Sequence, residues 1–384
     1  MNYFSSDFKL GILGGGQLGK MMLYSTRMYD ITTHVMDASS EAPCKIACNQ
    51  FTIGDLMDYD AVYNFGKQVD LLTFEIENVN VDALETLEKE GVRVFPSSKT
   101  LRTIQNKATQ KLFYRDHDIP TSDFSRFAYL SEIEDALENE ALDFPFVWKA
   151  AQFGYDGKGV KIVRELSDLH GLPVGECIVE ELIPFKNELA VIVARTVHGE
   201  IKTYPVVEME FHPEANQVEY VICPARIDDV VAKKAQDVAL KVSKAFKHVG
   251  LLAVEMFQTE DDEILVNEVA PRPHNSGHQT IEASYTSQFE QHIRAILNLP
   301  LGKTESKVGG IMVNLVGAEG HTGDVIYKNI QDIMKLEGVT PHIYGKKQTR
   351  PFRKMGHVTI VNEHINEARR IAEEVKKTIK VISK

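Results

Sequence analysis

Apolar residues fall in short blocks through the first hundred positions. "LGILGG", "THVMDA", "VDLLTFE" and "VRVFP" are continuously apolar and brief, which suits strands buried on both faces. Between them lie stretches with helical spacing, such as Gln17 to Met28. This alternation predicts a parallel, doubly wound sheet over residues 1–100. From Ser98 to Asp118 the pattern is helical and polar, and Ile119-Pro120 stops it. Over residues 101–300 the strands lengthen and "ELAVIVARTVHGEIKTYPVVEME" reads as a hairpin turning at His198-Gly199. Helices there come in separate blocks such as Asp229 to His248, so this region is an α+β domain on an antiparallel sheet. Beyond Pro300, "KVGGIMVNLVG", "TPHIYGK", "GHVTIVNE" and a charged helix from Ile365 describe a small C-terminal lobe, residues 301–384.

Composition narrows the partners. A chain of 384 residues with 43 basic against 55 acidic side chains carries a net charge of -12, which disfavours a nucleic acid or an anionic membrane and favours small-molecule substrates. Cys44, Cys48, Cys177 and Cys223 are too scattered for a disulfide framework and lack a zinc spacing. No basic leader and no long apolar run is present, so a cytoplasmic protein is expected.

Five stretches carry candidate chemistry. In "LGILGGGQLGKMM", Gly14, Gly16 and Gly19 join a strand to a helix with the spacing of a dinucleotide fingerprint, and Asp37 follows at the distance of a ribose-binding acid. The same turn offers free N–H groups to any phosphate, with Gln17 as a further donor. In "FVWKAAQFGYDGKGVKIV", Lys149 lies in an apolar strand and needs an anionic partner. Gly154, Gly157 and Gly159 follow it in a loop that either closes over a polyphosphate or is an ordinary hairpin with a solvated Lys158. In "LLAVEMFQTEDDEILVNEVAPRPHNSGH", a two-residue turn at Asp261-Asp262 puts Glu255 opposite Glu268, a carboxylate pair suited to a divalent cation. The same alternation aims Asn267 at the other face. "APRPHNSGH" then offers Arg272, His274, Asn275 and Ser276 on a rigid loop. "FEIENV" brings Glu75 and Asn78 to the carboxyl end of a strand, facing the glycine turn, and "YGKKQTRPFRKMGH" gathers Lys346, Lys347, Arg350, Arg353 and Lys354.

Together these motifs resemble the ATP-grasp enzymes, most closely the N5-carboxyaminoimidazole ribonucleotide synthetase family. "GGGQLGKM", "FEIENV", "GYDGKG", "EVAPRPHNSGH" and "RKMGH" occur in that family's order over almost the whole chain. The resemblance implies an ATP-grasp fold and ATP-dependent carboxylation of 5-aminoimidazole ribonucleotide by bicarbonate through carboxyphosphate, in purine biosynthesis. It also implies magnesium or manganese as the metal and a homodimer. By the same resemblance ATP is held by Lys107, Lys149, the loop Phe153, Gly154, Tyr155, Asp156, Gly157, Lys158 and Gly159, the hinge Glu180, Glu181, Leu182 and Ile183, and by Glu188, His212, Asn267 and Glu268. Glu255 and Glu268 hold the metal. Gly16, Gln17, Leu18, Glu75, Asn78, Tyr155, Lys346 and Arg353 hold the ribonucleotide, and Arg272, His274, Asp156 and Lys158 serve the transfer.

Phe153 stands where the family usually has glycine, and Lys107 where many members have arginine, which keeps a cation but loses a planar fork. Three other readings stay open at this stage: a formate-dependent transformylase of the same fold, a nicotinamide dehydrogenase, and a nucleotide-binding regulator without turnover.

Overall fold

The computed structural model describes residues 3–152, 159–213, 215 and 217–384. The first lobe is a five-stranded parallel sheet in the order Gln50–Ile53, Thr32–Asp37, Lys9–Leu13, Leu71–Phe74, Arg93–Val94. Its central strand, Lys9–Leu13, is buried from Leu10 onward, as its continuous apolar run requires. Asp58 and Asn80 cap the helices Tyr59–Gly66 and Val81–Lys89 by accepting from Ala61 N at 2.7 Å and Ala83 N at 3.0 Å.

The helical stretch after residue 98 is two helices, Ser98–Gln105 and Lys107–Asp116. Asn106 breaks it: its backbone is extended (φ -119°, ψ 114°), and its side chain caps the second helix by accepting from Thr109 N at 2.9 Å.

Two larger antiparallel sheets follow, beside a three-stranded one in the C-terminal lobe, Gln348–Thr349, Gly323–Lys328, Lys380–Ser383. Of the two, the smaller runs Phe124–Phe127, Cys177–Glu181, Phe146–Ala150, Val160–Val163. The larger has nine strands among the described residues, with Ile264–Ala270 at one edge and Val339–Ile343 at the other. Within it Val218–Cys223 pairs with Gly309–Val316, so the sheet continues through residue 300 into the C-terminal lobe. The hairpin expected at His198-Gly199 turns over three residues, 197–199: Thr196 N donates to Glu200 O at 3.0 Å, and Gly199 takes φ +87°, where glycine is favoured. The helix Asp229–Phe246 packs Val231, Ala235, Ala239 and Val242 against Val254, Met256, Val266 and Val269 of the sheet. A second core joins the lobes. Leu18, Met21 and Met22 of the helix Gln17–Met28 cluster with Phe289, Ile293 and Ile296 of the helix Gln288–Ile296.

Candidate active site

The site is organised by an irregularity in one hairpin. Near its turn, Gln258 pairs with Ile264, Phe257 with Leu265 and Met256 with Val266; past it, Glu255 pairs with Glu268 and Val254 with Val269. The turn has three residues rather than two, with Asp262 at φ +60° and Thr259 N donating to Glu263 O at 3.0 Å. A three-residue turn alone would set the two glutamates out of register. Asn267 is an extra residue, a β-bulge, that restores it. The bulge also corrects the expectation that Asn267 faces away. Val266 and Val269 enter the core, while Asn267 and Glu268 both point at the site.

Three lysines meet this face, Lys149 from the strand Phe146–Ala150 and Lys107 and Lys111 from the helix Lys107–Asp116. Lys149 donates to Asn267 Oδ1 at 2.9 Å and to Glu180 Oε2 at 3.0 Å, so the apolar strand does carry the lysine against an anion. Lys107 pairs with Glu268. Lys111, which the sequence reading missed, is buried and donates to Thr121 Oγ1 at 2.5 Å and Ser122 Oγ at 2.9 Å, with Glu180 Oε1 at 3.4 Å. The buried Glu180 carboxylate is thus occupied by cations of the protein itself. Glu181, Leu182 and Ile183 continue the strand end toward Phe185–Arg195, with Glu181 exposed.

The electrostatics follow from crowding. Burial and the charges of Glu255 and Glu268 push the Glu188 carboxyl up to about 8. The Lys107 ammonium holds Glu268 well below the usual carboxylate range. Burial, with Lys149 and Lys107 nearby, brings Lys111 down to about 8 against the pull of Glu180. Burial opposes the charge on Lys107, yet Glu268, Glu180 and Glu255 outweigh it and its pKa rises.

His274 Nε2 lies 3.1 Å from Glu255 Oε1, and its Nδ1 accepts from Ser276 N at 3.3 Å with Ser276 Oγ at 2.9 Å. A ring that accepts at Nδ1 carries its proton on Nε2, toward Glu255. Arg272 meets Glu77 at 2.8 Å. Asn275 and Asn314 exchange amide hydrogen bonds of 3.0 and 2.8 Å. Asn314 and His212 both line a cavity of about 500 Å³ together with Phe352.

The glycine turn differs from the expected phosphate cradle. Gly16 N and Gly19 N donate to Glu75 at 2.8 and 3.0 Å, and Gly15 N donates to Asp37 Oδ2 at 2.7 Å. The N-terminus of the helix Gln17–Met28 is therefore satisfied by carboxylates from neighbouring strand ends. Burial pushes the Glu75 carboxyl up, the two N–H groups and Arg272 pulling it down. Leu18 is buried in the core, so only its backbone is available, whereas Gln17 is half-buried and Asn78 exposed. The basic loop comes to the same lobe: Lys347 pairs with Glu41, and Lys20 Nζ donates to Ile343 O and Tyr344 O at 3.1 and 3.3 Å. Lys346 Nζ donates to Lys354 O at 2.8 Å, and Arg353 Nη1 to Gln348 O at 2.6 Å. Phe153, Gly154, Tyr155, Asp156, Gly157 and Lys158 lie outside the described residues; Gly159 is described, at φ +78°.

The carboxylate pair suits a hard cation. Among the described residues no cluster of three or more His, Cys, Asp or Glu groups could hold a metal, but magnesium needs only one or two carboxylates where phosphates supply further oxygens.

Residues 8–105 match the ribonucleotide synthetase preATP-grasp domain, 112–289 the ATP-grasp domain, and 310–371 the phosphoribosylaminoimidazole carboxylase C-terminal domain. The N5-carboxyaminoimidazole ribonucleotide synthase of Bacillus subtilis is 39% identical over 93% of this chain and 92% of its own. The crystal structure of the Thermotoga maritima synthetase superposes with a TM-score of 0.89 at 41% identity, covering 98% of this chain and 100% of that one. The Aspergillus clavatus enzyme in complex with ADP and 5-aminoimidazole ribonucleotide gives a TM-score of 0.88 at 34% identity, over 97% and 98% of the two chains. The chain therefore belongs to the N5-carboxyaminoimidazole ribonucleotide synthase family of ATP-grasp ligases.

Proposed function

We propose that this protein carboxylates the exocyclic amine of 5-aminoimidazole ribonucleotide with bicarbonate at the expense of ATP, giving N5-carboxyaminoimidazole ribonucleotide, ADP and phosphate. The observation that carries the reading is the meeting of Lys107, Lys149, Asn267 and Glu268 on one hairpin face that also bears Glu255.

Bicarbonate is a poor electrophile. Transfer of the terminal phosphoryl group of ATP to one of its oxygens releases ADP and gives carboxyphosphate, whose carbonyl the amine attacks; the C–O bond to phosphate breaks and the nitrogen loses a proton. Lys107 and Lys149 would neutralise phosphate oxygens, Asn267 and Glu180 keeping the Lys149 ammonium in place. Glu255 and Glu268 would hold magnesium or manganese, which would supply positive charge to offset that of the phosphates. Arg272 and His274, on the loop that leaves this hairpin, stand between it and the first lobe, where Glu77 meets Arg272. The ribonucleotide would lie against the first lobe and the basic loop, near Glu75, Gln17, Lys346 and Arg353. Since Glu75 already holds the glycine N–H groups, the ribonucleotide phosphate falls to Lys346 and Arg353 rather than to the glycine turn. Asp156, Lys158 and the rest of the glycine-rich loop would cover the nucleotide, excluding water from carboxyphosphate.

ADP release is the test. It should require magnesium, bicarbonate and 5-aminoimidazole ribonucleotide together; full turnover with glycinamide ribonucleotide and formate instead would assign the protein to the transformylases. The family expectation of a cytoplasmic homodimer is checked by light scattering on the purified protein and by fractionation of the source cells.

A further inference from the structure

We propose that Glu77 is a positioning residue that fixes the Arg272 guanidinium across the crevice between the lobes and so sets it for carboxyl transfer; this rests on the functional reading above. Glu75 and Glu77 leave the carboxyl end of the strand Leu71–Phe74 two residues apart and do different work. Glu75 turns to the glycine N–H groups. Glu77 Oε1 reaches Arg272 Nη2 at 2.8 Å, an ion pair between lobes whose side chains are only 26% and 18% exposed.

Both ends of the pair are braced. Gln105 Nε2 donates to Glu77 O and Val79 O, each at 2.8 Å, and Val79 N donates to Glu77 O at 2.9 Å, so the backbone that presents the carboxylate is fixed. On the other side Arg272 Nη1 donates to Pro273 O at 3.1 Å, within a segment made stiff by two prolines. A guanidinium gripped at both Nη atoms keeps its plane, and plane is what distinguishes arginine as a partner for a carboxylate or phosphate. Without Glu77, Arg272 loses its hold at Nη2 and with it part of the restraint on its plane. Because the carboxylate belongs to the first lobe and the arginine to the second, the guanidinium takes its working orientation only with the two lobes in contact.

The test compares Glu77→Gln and Glu77→Asp with the unmodified protein. Glu77→Gln keeps the volume and removes the charge; kcat for ribonucleotide-dependent ADP release should fall about 10²-fold, the scale expected when a reacting geometry is misplaced by about 1 Å. KM for ATP and the melting temperature should stay near those of the unmodified protein, and Glu77→Asp should recover part of the loss. A kcat for Glu77→Gln within about threefold of the unmodified protein overturns the proposal, as does a parallel loss of ATP binding and thermal stability, which makes the role purely structural. Nitrogen-15 NMR of the arginine side chains reads the same idea without turnover: rotation about the Arg272 Nε–Cζ bond should be slow in the unmodified protein and fast in Glu77→Gln. Fast rotation in the unmodified protein also overturns it. Slow rotation in a protein that fails to turn over 5-aminoimidazole ribonucleotide leaves the grip on Arg272 intact and removes the functional reading instead.

Discussion

Acid should loosen this fold through four histidines that it keeps neutral. Burial holds His248 at about 4 and His292 at about 3, and holds His278 and His357 well below their ordinary 6.5. Their hydrogen bonds agree. His292 Nδ1 accepts from Leu251 N at 3.2 Å, and His278 Nδ1 lies 3.1 Å from the Gln288 amide nitrogen. His278 also packs against His357 with ring centroids 4.7 Å apart and planes tilted by 36°, and feels His274, Lys354, His342 and Arg272, so a proton there meets several positive neighbours. A histidine whose folded pKa is depressed contributes no loss at neutral pH and an increasing one as the unfolded chain takes up protons below 6.5. Between about pH 7.5 and 5.5 that linkage costs about 1.4 kcal/mol for each group and about 5.5 kcal/mol for four. Glu188 opposes it. A carboxyl raised to about 8 is protonated in the folded protein over the same interval while the unfolded one stays ionised, returning about 2.5 kcal/mol. Glu75, raised by burial, acts in the same sense, so the net loss is at most about 3 kcal/mol. Urea unfolding followed by far-ultraviolet circular dichroism at the two pH values measures it, and Glu188→Gln should steepen the loss toward about 5.5 kcal/mol. Stability of Glu188→Gln that stays level or rises between the two pH values would refute the reasoning.

Glu268→Gln should lose at least about 10²-fold in kcat while remaining folded, since it removes half the charge of the carboxylate pair; near-normal turnover at saturating magnesium would reject the metal assignment. Lys149→Met should raise the KM for ATP and lower kcat together, by about 10²-fold or more in kcat/KM, because a phosphate loses its cation and Glu180 loses a partner; steady-state kinetics decide it. A Cβ at Gly16 would come 2.5 Å from Glu75 Oε1 although the backbone there, at φ -75°, accepts any residue. Gly16→Ala should therefore destabilise the protein by about 1–3 kcal/mol, and nearly all of that should vanish in a Glu75→Ala background; two independent, additive effects would contradict the contact.

The parallel sheet, the helix Gln17–Met28 and the need of Lys149 for an anion were all legible from periodicity and local chemistry, because each depends on near neighbours in sequence. Glu255 does face Glu268, but by another route than a two-residue turn. A longer turn shifts the register by one residue and the bulge at Asn267 shifts it back, two compensating departures that a count along the strands passes over. The glycine turn shows the opposite case. Its spacing is that of a phosphate site, and the sequence sets Glu75 facing it from the end of another strand, but nothing in the local pattern says that this carboxylate itself takes the N–H groups. Lys111 and Glu77 escaped notice for the same reason: each gains its meaning only from a residue brought near by the fold, Glu180 for one and Arg272 for the other.

The apolar seam between the helices Gln17–Met28 and Gln288–Ile296 limits how this protein can be recombined with its relatives. Exchanging the first hundred residues for those of another family member leaves Phe289, Ile293 and Ile296 facing a surface shaped by a different sequence. Such a chimaera would need the matching face of the second helix to travel with the transplanted segment, although the two lie far apart in the gene. The unit that evolution or a protein engineer can swap here is a packed interface, and the sequence boundary near residue 100 does not delimit it.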